Sequence, residues 1–280
     1  MNEGRRWFIT GVSSGFGRLL AKAALARGDS VAGTLRRPEQ SAEFEALAPG
    51  RAHAILLDVT DRQRIPVAVS DAVGKLGGID VLVNNAGYGL AGALEELGED
   101  EIDHAIDTNL NGTIYVTKAA LFALRESHGQ ILNFSSLAGL MGLPGMSAYC
   151  AAKHAVEGFS ESLAAELQPF GVRVTLVEPG GFKTNFFKGS ERTSRHPLPV
   201  YDGTPAGMAR DGLSAAGDYM PGDPARAVAA ILLAIDAQQP PLRLVLGSDA
   251  LSGIRAKLES VGANLAEWEH LTLSTGFTQP

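Results

Sequence analysis

Short apolar runs alternate with longer amphipathic segments along most of this chain, and this order constrains its fold more than any other feature. Seven runs are predicted to be strands, over 5–10, 30–34, 52–58, 79–85, 129–135, 172–178 and 242–247. Helical patterns follow them, over 15–27, 39–48, 61–75, 98–126, 147–169, 223–237 and 250–270. Because strands joined by helical crossovers run parallel, the order predicts an α/β fold with a doubly wound parallel sheet and helices on both faces.

One domain can account for all 280 residues, because α/β domains reach this size as single units. The segment 185–222 departs from the alternation, since it is rich in Gly, Pro, Ser and Thr and has little regular period. Loops of this length in compact domains usually serve a function. The segment ends where Asp223 can cap a helix that Pro224 begins, and a helical extension is predicted over 250–280.

Charge and cysteine content exclude several classes of partner. The net charge of −7 and the isoelectric point of about 5.4 argue against a nucleic-acid surface or an anionic membrane as partner. No run is apolar enough to span a membrane, and no apolar region follows the paired arginines Arg5 and Arg6, so export is not expected. The single cysteine, Cys150, fits a reducing cytoplasm, and the histidines show no metal-binding spacing.

A glycine-rich turn follows the first predicted strand in "FITGVSSGFGRLL". Gly11, Gly15 and Gly17 would let the backbone approach a pyrophosphate at the N-terminus of the next helix, where free N–H groups point outward. The alternative is a tight turn with close helix–strand packing. The Gly-Lys-Ser/Thr sequence of a nucleotidase phosphate loop is absent, so a dinucleotide is the preferred ligand.

The end of the second predicted strand indicates which dinucleotide. NAD-binding folds place an acidic residue about 20 residues past the glycines, whereas this chain has Arg36 there, 19 residues after Gly17, followed by Arg37. A guanidinium can bind a 2′-phosphate through paired hydrogen bonds. We therefore expect NADP(H) in preference to NAD(H), which stays possible if these arginines are only solvated loop residues.

The stretch "SAYCAAKHAVEG" places Tyr149 and Lys153 one helical turn apart on the same face. This pair can be a plain polar edge of an amphipathic helix. It can also be an acid–base pair, in which the Lys153 charge lowers the pKa of Tyr149 from its usual value of about 10.

Six motifs in sequence order resemble those of the short-chain dehydrogenase/reductase family: "TGVSSGFG", "DVTD", "NNAG", "FSS", "YCAAK" and "PGGFKT". They cover residues 10–184. The resemblance implies a single-domain Rossmann fold with a seven-stranded parallel sheet, which interconverts alcohols and carbonyls with NAD(P)(H) and without a metal. A narrower resemblance is to the branch with 17β-hydroxysteroid and retinol dehydrogenases, which many bacterial enzymes of unassigned substrate also resemble.

The resemblance also implies a set of site residues. It assigns catalysis to Asn109, Ser136, Tyr149 and Lys153, with Ser135 and Asn111 as weaker candidates. Tyr149 would be the general acid or base, Ser136 would bind the substrate oxygen, and Lys153 would bind the nicotinamide ribose. Besides Tyr149, Lys153 and Arg36, the implied cofactor-binding residues are Gly11, Ser13, Ser14, Gly15, Phe16, Gly17, Asp58, Val59, Asn85, Ala86, Gly87, Pro179, Gly180, Phe182 and Thr184.

These observations together predict an NADP(H)-dependent oxidoreductase that interconverts an alcohol with a ketone or aldehyde. The alternatives are an NAD(H)-preferring dehydrogenase, a non-catalytic NADP sensor, and an epimerase or dehydratase on a related fold. The family places its substrate lid in the segment 185–222, where Phe186, Phe187, Met208, Tyr219 and Met220 can either cover a largely apolar small molecule or pack onto the body of the protein. A homodimer or homotetramer is expected, with the helices over 98–126 and 147–169 as candidates for pairing.

Overall fold

The computed structural model describes residues 4–184, 191–216 and 220–277. Its main element is a seven-stranded parallel sheet in the order β3-β2-β1-β4-β6-β7-β9. The strands are β1 (Arg6–Ile9), β2 (Ser30–Leu35), β3 (Ala52–Leu56), β4 (Val81–Asn84), β6 (Gln130–Phe134), β7 (Arg173–Pro179) and β9 (Arg243–Leu246). The predicted fold class and all seven predicted strands are confirmed.

The direction of the sheet reverses between β1 and β4. From β1 the chain proceeds outward to β2 and β3, and it then returns to the other side of β1 for β4, β6, β7 and β9. The loops at the carboxyl ends of β1 and β4 therefore diverge. Such a switch point leaves a crevice, and ligands of open α/β sheets bind in it.

Helices cover both faces of the sheet. They are α1 (Gly15–Ala26), α2 (Ser41–Glu45), α3 (Arg64–Leu76), α4 (Glu99–Ile106), α5 (Gly112–Ser127), α6 (Ser147–Leu167), α7 (Pro205–Ala216), α8 (Pro224–Asp236) and α9 (Ser248–Leu273). Alternate residues of β1 show why both layers form. Trp7 and Ile9 pack in the core beneath α1 and α8, while Phe8 packs in the core beneath α3, α5 and α6. All three are fully buried, which explains why β1 is apolar on both faces from Trp7 to Ile9.

Several boundaries differ from the predictions. A π-helical turn at Asp107–Asn111 divides the helix predicted over 98–126 into α4 and α5. Single π turns inside helices are frequent at functional sites. The helix predicted over 39–48 shortens to a 3₁₀ turn at Pro38–Gln40 followed by α2.

The described parts of the segment 185–222, residues 191–216 and 220–222, are more regular than the sequence indicates. Strand β8 (Glu191–Thr193) pairs in parallel with β5 (Gly89–Ala91). Helix α7 begins directly after Thr204, whose hydroxyl accepts a hydrogen bond from the Gly207 N–H at 3.2 Å. A buried ion pair between Arg210 of α7 and Glu96 fixes this segment to the body of the protein. Arg210 and Glu96 are 114 positions apart, so no local sequence pattern could indicate this contact.

The C-terminal helix α9 has two different halves. Its first turns pack on the body through Ala250 and Ile254, whereas all residues from Arg255 to Phe277 are exposed. None of the helices in the described ranges combines the length and apolar character that crossing a membrane requires.

Candidate active site

A cavity of about 440 Å³ lies at the switch point of the sheet. The glycine-rich turn after β1, the ends of β2, β4, β6 and β7, and the first turns of α6 form its wall. Nearly all of the predicted site residues line it; the exceptions are Gly17 and Asn109. A more open depression of about 590 Å³ lies beside Arg210, and no predicted site residue lines that one.

The glycine-rich turn presents backbone to this cavity. Gly11 and Gly15 have φ angles of +73° and +56°, which L-residues with side chains rarely adopt. No atom lies within 4 Å of the position that a Cβ of Gly15 would occupy, so the space beside it is open. The first turn of α1 consists of Gly15, Phe16, Gly17 and Arg18, and Ser14 makes no side-chain cap hydrogen bond. Backbone N–H groups with no nearby carboxylate suit a phosphate.

Gly17 lies close to the turn that precedes α1. A Cβ at this position would lie 2.4 Å from both the Gly11 carbonyl oxygen and the Asn85 Nδ2. The absence of a side chain therefore allows α1 to approach the turn closely, as the packing alternative requires, while a contact of Gly17 with a cofactor stays a prediction.

Thr10 joins the turn to the end of β4, and sequence reasoning missed it. Its hydroxyl oxygen accepts hydrogen bonds from the N–H groups of Asn85 and Ala86, each at 3.0 Å. In return, Asn85 Nδ2 donates to the carbonyl oxygens of Thr10 at 2.9 Å and Gly11 at 3.0 Å. These bonds fix two loops that diverge at the switch point, so Asn85, Ala86 and Gly87 form one wall of the cavity.

Two arginines lie at the far end of the cavity from Tyr149. Arg36 and Arg37 directly follow β2, are exposed and line the cavity together with Asp58 and Val59. Burial would raise the pKa of Asp58, but hydrogen bonds from the N–H and hydroxyl of Thr60 and the Arg36 charge lower that pKa overall. Asp58 is therefore an ionised hydrogen-bond acceptor, while the arginines beside it offer donors.

Helix α6 places the predicted catalytic pair at the other end. Tyr149 and Lys153 are one turn apart and both are buried, with the Lys153 Nζ 5.7 Å from the centroid of the Tyr149 ring. The Lys153 Nζ donates a hydrogen bond to the Phe134 carbonyl oxygen at 2.7 Å. This bond ties α6 to the end of β6, so the ammonium has a fixed position near the phenol.

The predicted lowering of the Tyr149 pKa by Lys153 is wrong for the chain alone. Burial raises the pKa of Tyr149 to about 12, and a hydrogen bond with Ser136 opposes that rise only in part. Burial also lowers the pKa of Lys153 to about 8, against the effect of the Glu157 charge. Desolvation penalises both charged forms, and it outweighs their mutual attraction at this separation.

Ser136 and Ser135 have separate environments although they are adjacent. Ser136 precedes the 3₁₀ turn Leu137–Gly139, and its Oγ accepts a hydrogen bond from the Ala138 N–H at 3.2 Å. The Ser135 side chain lies beside Gly139, close to Glu157. Both serines line the cavity, but the hydrogen bond to Tyr149 distinguishes Ser136.

Asn109 lies behind the cavity wall, in the π-helical turn between α4 and α5. Its Nδ2 donates to the carbonyl oxygens of Tyr88 and Ala105, each at 3.0 Å, and its Oδ1 accepts from the Tyr88 N–H at 3.2 Å. A Cβ on Gly87 would approach its Oδ1 to 2.6 Å. Asn109 therefore holds the backbone that supports Gly87, and it does not reach the cavity itself.

The wall after β7 contains the predicted Pro179, Gly180, Phe182 and Thr184. Asp249, in the first turn of α9, joins them, and its Oδ2 accepts a hydrogen bond from the Gly181 N–H at 2.7 Å. The two residues are 68 positions apart, so no local sequence pattern could identify this contact.

Apolar side chains surround the Tyr149 end of the cavity. Leu143 and Met146 precede α6, and Met220 comes from the segment predicted to cover the substrate. Met208 is exposed and does not line the cavity. The other predicted lid residues, Phe186, Phe187 and Tyr219, lie outside the described residues.

Several known proteins resemble this chain in sequence and in fold. The sequence profile of the family described as "short chain dehydrogenase" matches residues 6–195. Oxidoreductase BOA17 of Botryotinia fuckeliana is 38% identical over 271 residues, which cover 96% of this chain and 98% of that protein. 3-Ketodihydrosphingosine reductase of Bacteroides thetaiotaomicron is 41% identical over 179 residues, or 64% of each chain. A crystal structure of a short-chain dehydrogenase from Streptomyces avermitilis is 45% identical, covers 99% of this chain and 100% of its own, and superposes with a TM-score of 0.91.

Proposed function

This chain belongs to the short chain dehydrogenase family and is an NAD(P)(H)-binding oxidoreductase of CH–OH groups, and from that premise we propose that it is an NADP(H)-dependent reductase of ketones or aldehydes. One observation carries the proposal. A single cavity has Arg36 and Arg37 at one end and the Tyr149–Ser136 pair at the other. A dinucleotide in that cavity can have its phosphorylated ribose at the arginines and its reactive ring beside the phenol.

The residues of the chain fit each part of such a cofactor. The N-terminus of α1 and the backbone of Gly15 suit the pyrophosphate, and Asp58 with Val59 suits the adenine. The backbone from Asn85 to Gly87 would lie along the ribose, and the wall from Pro179 to Thr184 would contact the nicotinamide. The reduced nicotinamide supplies the hydride for carbonyl reduction.

Tyr149 is the proton donor in this proposal. With a pKa of about 12 the phenol stays protonated at neutral pH, as a general acid must be before it protonates the forming alkoxide. Ser136, whose hydroxyl is hydrogen-bonded to Tyr149, can turn its single O–H to the same substrate oxygen as negative charge develops on that oxygen. In alcohol oxidation the roles reverse, and Tyr149 accepts the proton.

Lys153 and Asn109 prepare the site. At pH 7 a group with a pKa of about 8 is mostly protonated, so the Lys153 ammonium stabilises negative charge that develops on Tyr149 during proton transfer. Its hydrogen bond to the Phe134 carbonyl leaves other N–H donors for the nicotinamide ribose. Asn109 is a positioning residue, because its bonds to Tyr88 and Ala105 support the loop that contains Gly87.

The apolar end of the cavity favours a largely apolar substrate. The side chains of Leu143, Met146 and Met220 are apolar, and Tyr149 and Ser136 are the polar groups that bind the carbonyl. Alkyl or ring carbons of a substrate therefore contribute most to binding there, because they lose contact with water. Of the described residues in the segment predicted as the lid, Met220 lines the cavity, and the Arg210–Glu96 ion pair anchors α7. A panel of ketones and aldehydes should therefore show kcat/KM rising with alkyl length and falling for carboxylates and sugars.

The decisive experiment is titration of wild type, Arg36→Ala and Arg37→Ala with NADPH and NADH. We expect wild type to bind NADPH at least ~10-fold more tightly than NADH, as one charge-assisted hydrogen-bonded pair contributes roughly that much. Arg36→Ala should lose that preference, and Arg37→Ala, which changes the same charge one residue further on, should lose less. NADH affinity should be nearly unchanged in both variants.

Equal or tighter binding of NADH by the wild type would contradict the NADP(H) assignment. NADPH binding without turnover of any carbonyl in the panel would instead favour a sensor on the same fold.

A further inference from the structure

The C-terminal half of α9 leaves the body of the protein. Beyond Ile254, every residue up to Phe277 is exposed, including those on all sides of the helix. A helix of this length without tertiary contacts is marginally stable in water, and Gly262 in its middle weakens it further. A covering partner would resolve both problems.

Large apolar residues form one stripe along this free half. Leu258, Val261, Leu265 and Trp268 follow the 3–4–3 spacing of a coiled-coil seam, which continues backward to the buried Ile254 and to Leu251. The four side chains of the free half are between 41% and 64% exposed. Contiguous apolar stripes of this kind on a soluble protein mark an interaction surface.

We propose that this stripe pairs with the same stripe of a second copy of the chain, in antiparallel orientation. In the register that aligns the seams, Leu258 packs against Trp268 of the partner subunit, and Val261 packs against Leu265 of the partner subunit. The two-fold axis then crosses between Gly262 and Asn264. The missing side chain of Gly262, which has no neighbour within 4 Å of its Cβ position, allows the two helices to approach there.

Charges beside the seam support the antiparallel orientation. Counting Leu258 and Leu265 as position a, Arg255 and Glu269 both occupy position e. In the antiparallel register Arg255 faces Glu269 of the partner subunit, and symmetry repeats the pair at the other end. A parallel pair would instead place Lys257 opposite Gly262 of the partner subunit and Asn264 opposite Glu269 of the partner subunit, with no ion pair.

Charge also argues against a membrane as the occupant. The free half of α9 has two cations, Arg255 and Lys257, against the carboxylates of Glu259, Glu267 and Glu269. Helices that lie on anionic membranes have polar faces rich in Lys and Arg. Elsewhere, α5 exposes Phe122 as its one large apolar side chain within the described residues, so α9 offers the larger apolar surface.

The first test is the mass of the assembly by sedimentation velocity for wild type, Leu265→Glu and Ala263→Glu. Leu265→Glu puts two charges into the proposed seam and should halve the mass, with association weakened by roughly 100-fold or more. Ala263→Glu adds the same charge on the opposite side of the helix and should keep the wild-type mass. A monomeric wild type, or an assembly that Leu265→Glu leaves intact, would overturn the proposal.

The second test resolves orientation by charge exchange. Arg255→Glu and Glu269→Arg should each weaken association about tenfold, because each creates two like-charge contacts. The double variant should associate like wild type, and a mixture of the two single variants should form the mixed pair preferentially. Failure of the double variant to recover would exclude the antiparallel register.

Vesicles of phosphatidylcholine and phosphatidylserine separate the remaining alternative. The pairing would be overturned, and the stripe assigned to lipid, by two results together. Wild type would co-sediment with these vesicles while Leu265→Glu would not, and wild type would be monomeric without vesicles. No co-sedimentation of the wild-type assembly is the expected result.

Discussion

Helices α6 and α9 are the two longest in the described chain, and they use an apolar stripe in opposite ways. On α6 the stripe is buried against the sheet, and Tyr149, Lys153 and Glu157 lie along it at successive turns. On α9 the stripe from Leu258 to Trp268 is exposed. The same helical periodicity therefore serves a buried reactive surface in one helix and an unpartnered surface in the other.

The difference shows what burial contributes to chemistry. On α6, desolvation raises the pKa of Tyr149 and of Glu157 and lowers the pKa of Lys153, so three neighbouring groups leave their ordinary ranges. Perturbed groups of this kind cluster at functional sites. The stripe of α9 has no ionisable groups between Leu258 and Trp268 on its seam, so its contribution is apolar area. Substitutions in α6 should alter turnover, and those in α9 should alter assembly.

The largest expected effect is that of Tyr149→Phe. Loss of the hydroxyl removes the proton donor while the ring stays packed, so kcat should fall by about 100- to 10,000-fold. NADPH binding and the sedimenting mass should match those of wild type. Turnover of the best ketone from the panel, with cofactor titration and sedimentation, measures all three. Residual activity within tenfold of wild type would remove Tyr149 from its proposed role.

Lys153→Met should come next, with a fall in kcat of roughly 100-fold. Because the pKa of Lys153 is about 8, carbonyl reduction by wild type should decline as the pH rises through about 8 and the ammonium loses its proton. The methionine variant should lack that decline, since it has no titrating group there. Rates across pH 6 to 10 check this, and an unchanged pH profile in the variant would assign the decline to another group.

The sequence predicted the sheet well because each strand is defined by its own residues. The apolar run "IDVLVNN" contains β4, and the helical pattern over 61–75 contains all of α3 except its last residue, Leu76. The motifs likewise placed Gly11, Ser136 and Tyr149 in one cavity. These predictions depended on short-range patterns, and the local preferences of these segments agree with the overall fold.

The failures involve effects that depend on distance in space. The pKa of Tyr149 depends on how deeply α6 is buried, and spacing to Lys153 alone does not give that depth. Asp249 reaches Gly181 across 68 positions, and Arg210 reaches Glu96 across 114. The position of α7 likewise depends on the Arg210–Glu96 ion pair, which no local pattern within the helix indicates.

Glu178→Gln tests a buried carboxylate of β7 that shares Arg243 as a partner with Glu157 of α6. Glu178 of β7 is fully buried, 3.3 Å from the Arg243 Nε, while the Arg243 Nη2 lies 3.1 Å from Glu157. Burial, with the Glu157 charge, raises the pKa of Glu178 to about 7, against the opposing effect of Arg243. The folded state therefore holds a proton that the unfolded state releases between about pH 4.5 and 7.

Because the folded state binds this proton more tightly than the unfolded state, the free energy of unfolding falls as the pH rises through that window. The glutamine variant has no carboxyl to titrate at this position, so its free energy of unfolding should not fall in this way. The difference in free energy of unfolding between the variant and wild type should therefore increase in favour of the variant from pH 5 to pH 8, by at most about 3 kcal/mol. Urea unfolding at both pH values measures the change. Glu161→Gln, at a half-exposed partner of Arg243, is the control and should show much less pH dependence. A constant difference between Glu178→Gln and wild type would mean that Glu178 titrates normally.

The smallest effect is expected on the other side of α6. His154 follows Lys153 directly, but its residue is exposed and its Nδ1 lies 2.9 Å from the Cys150 carbonyl oxygen of the same helix. Adjacent residues point about 100° apart around a helix, so the imidazole is directed away from the cavity. His154→Ala should change kcat less than about twofold and the free energy of unfolding by less than about 0.5 kcal/mol. A tenfold loss of turnover in His154→Ala would mean that an exposed side chain next to Lys153 contributes to the chemistry. Burial would then not distinguish the residues of α6 that take part in catalysis from those that do not.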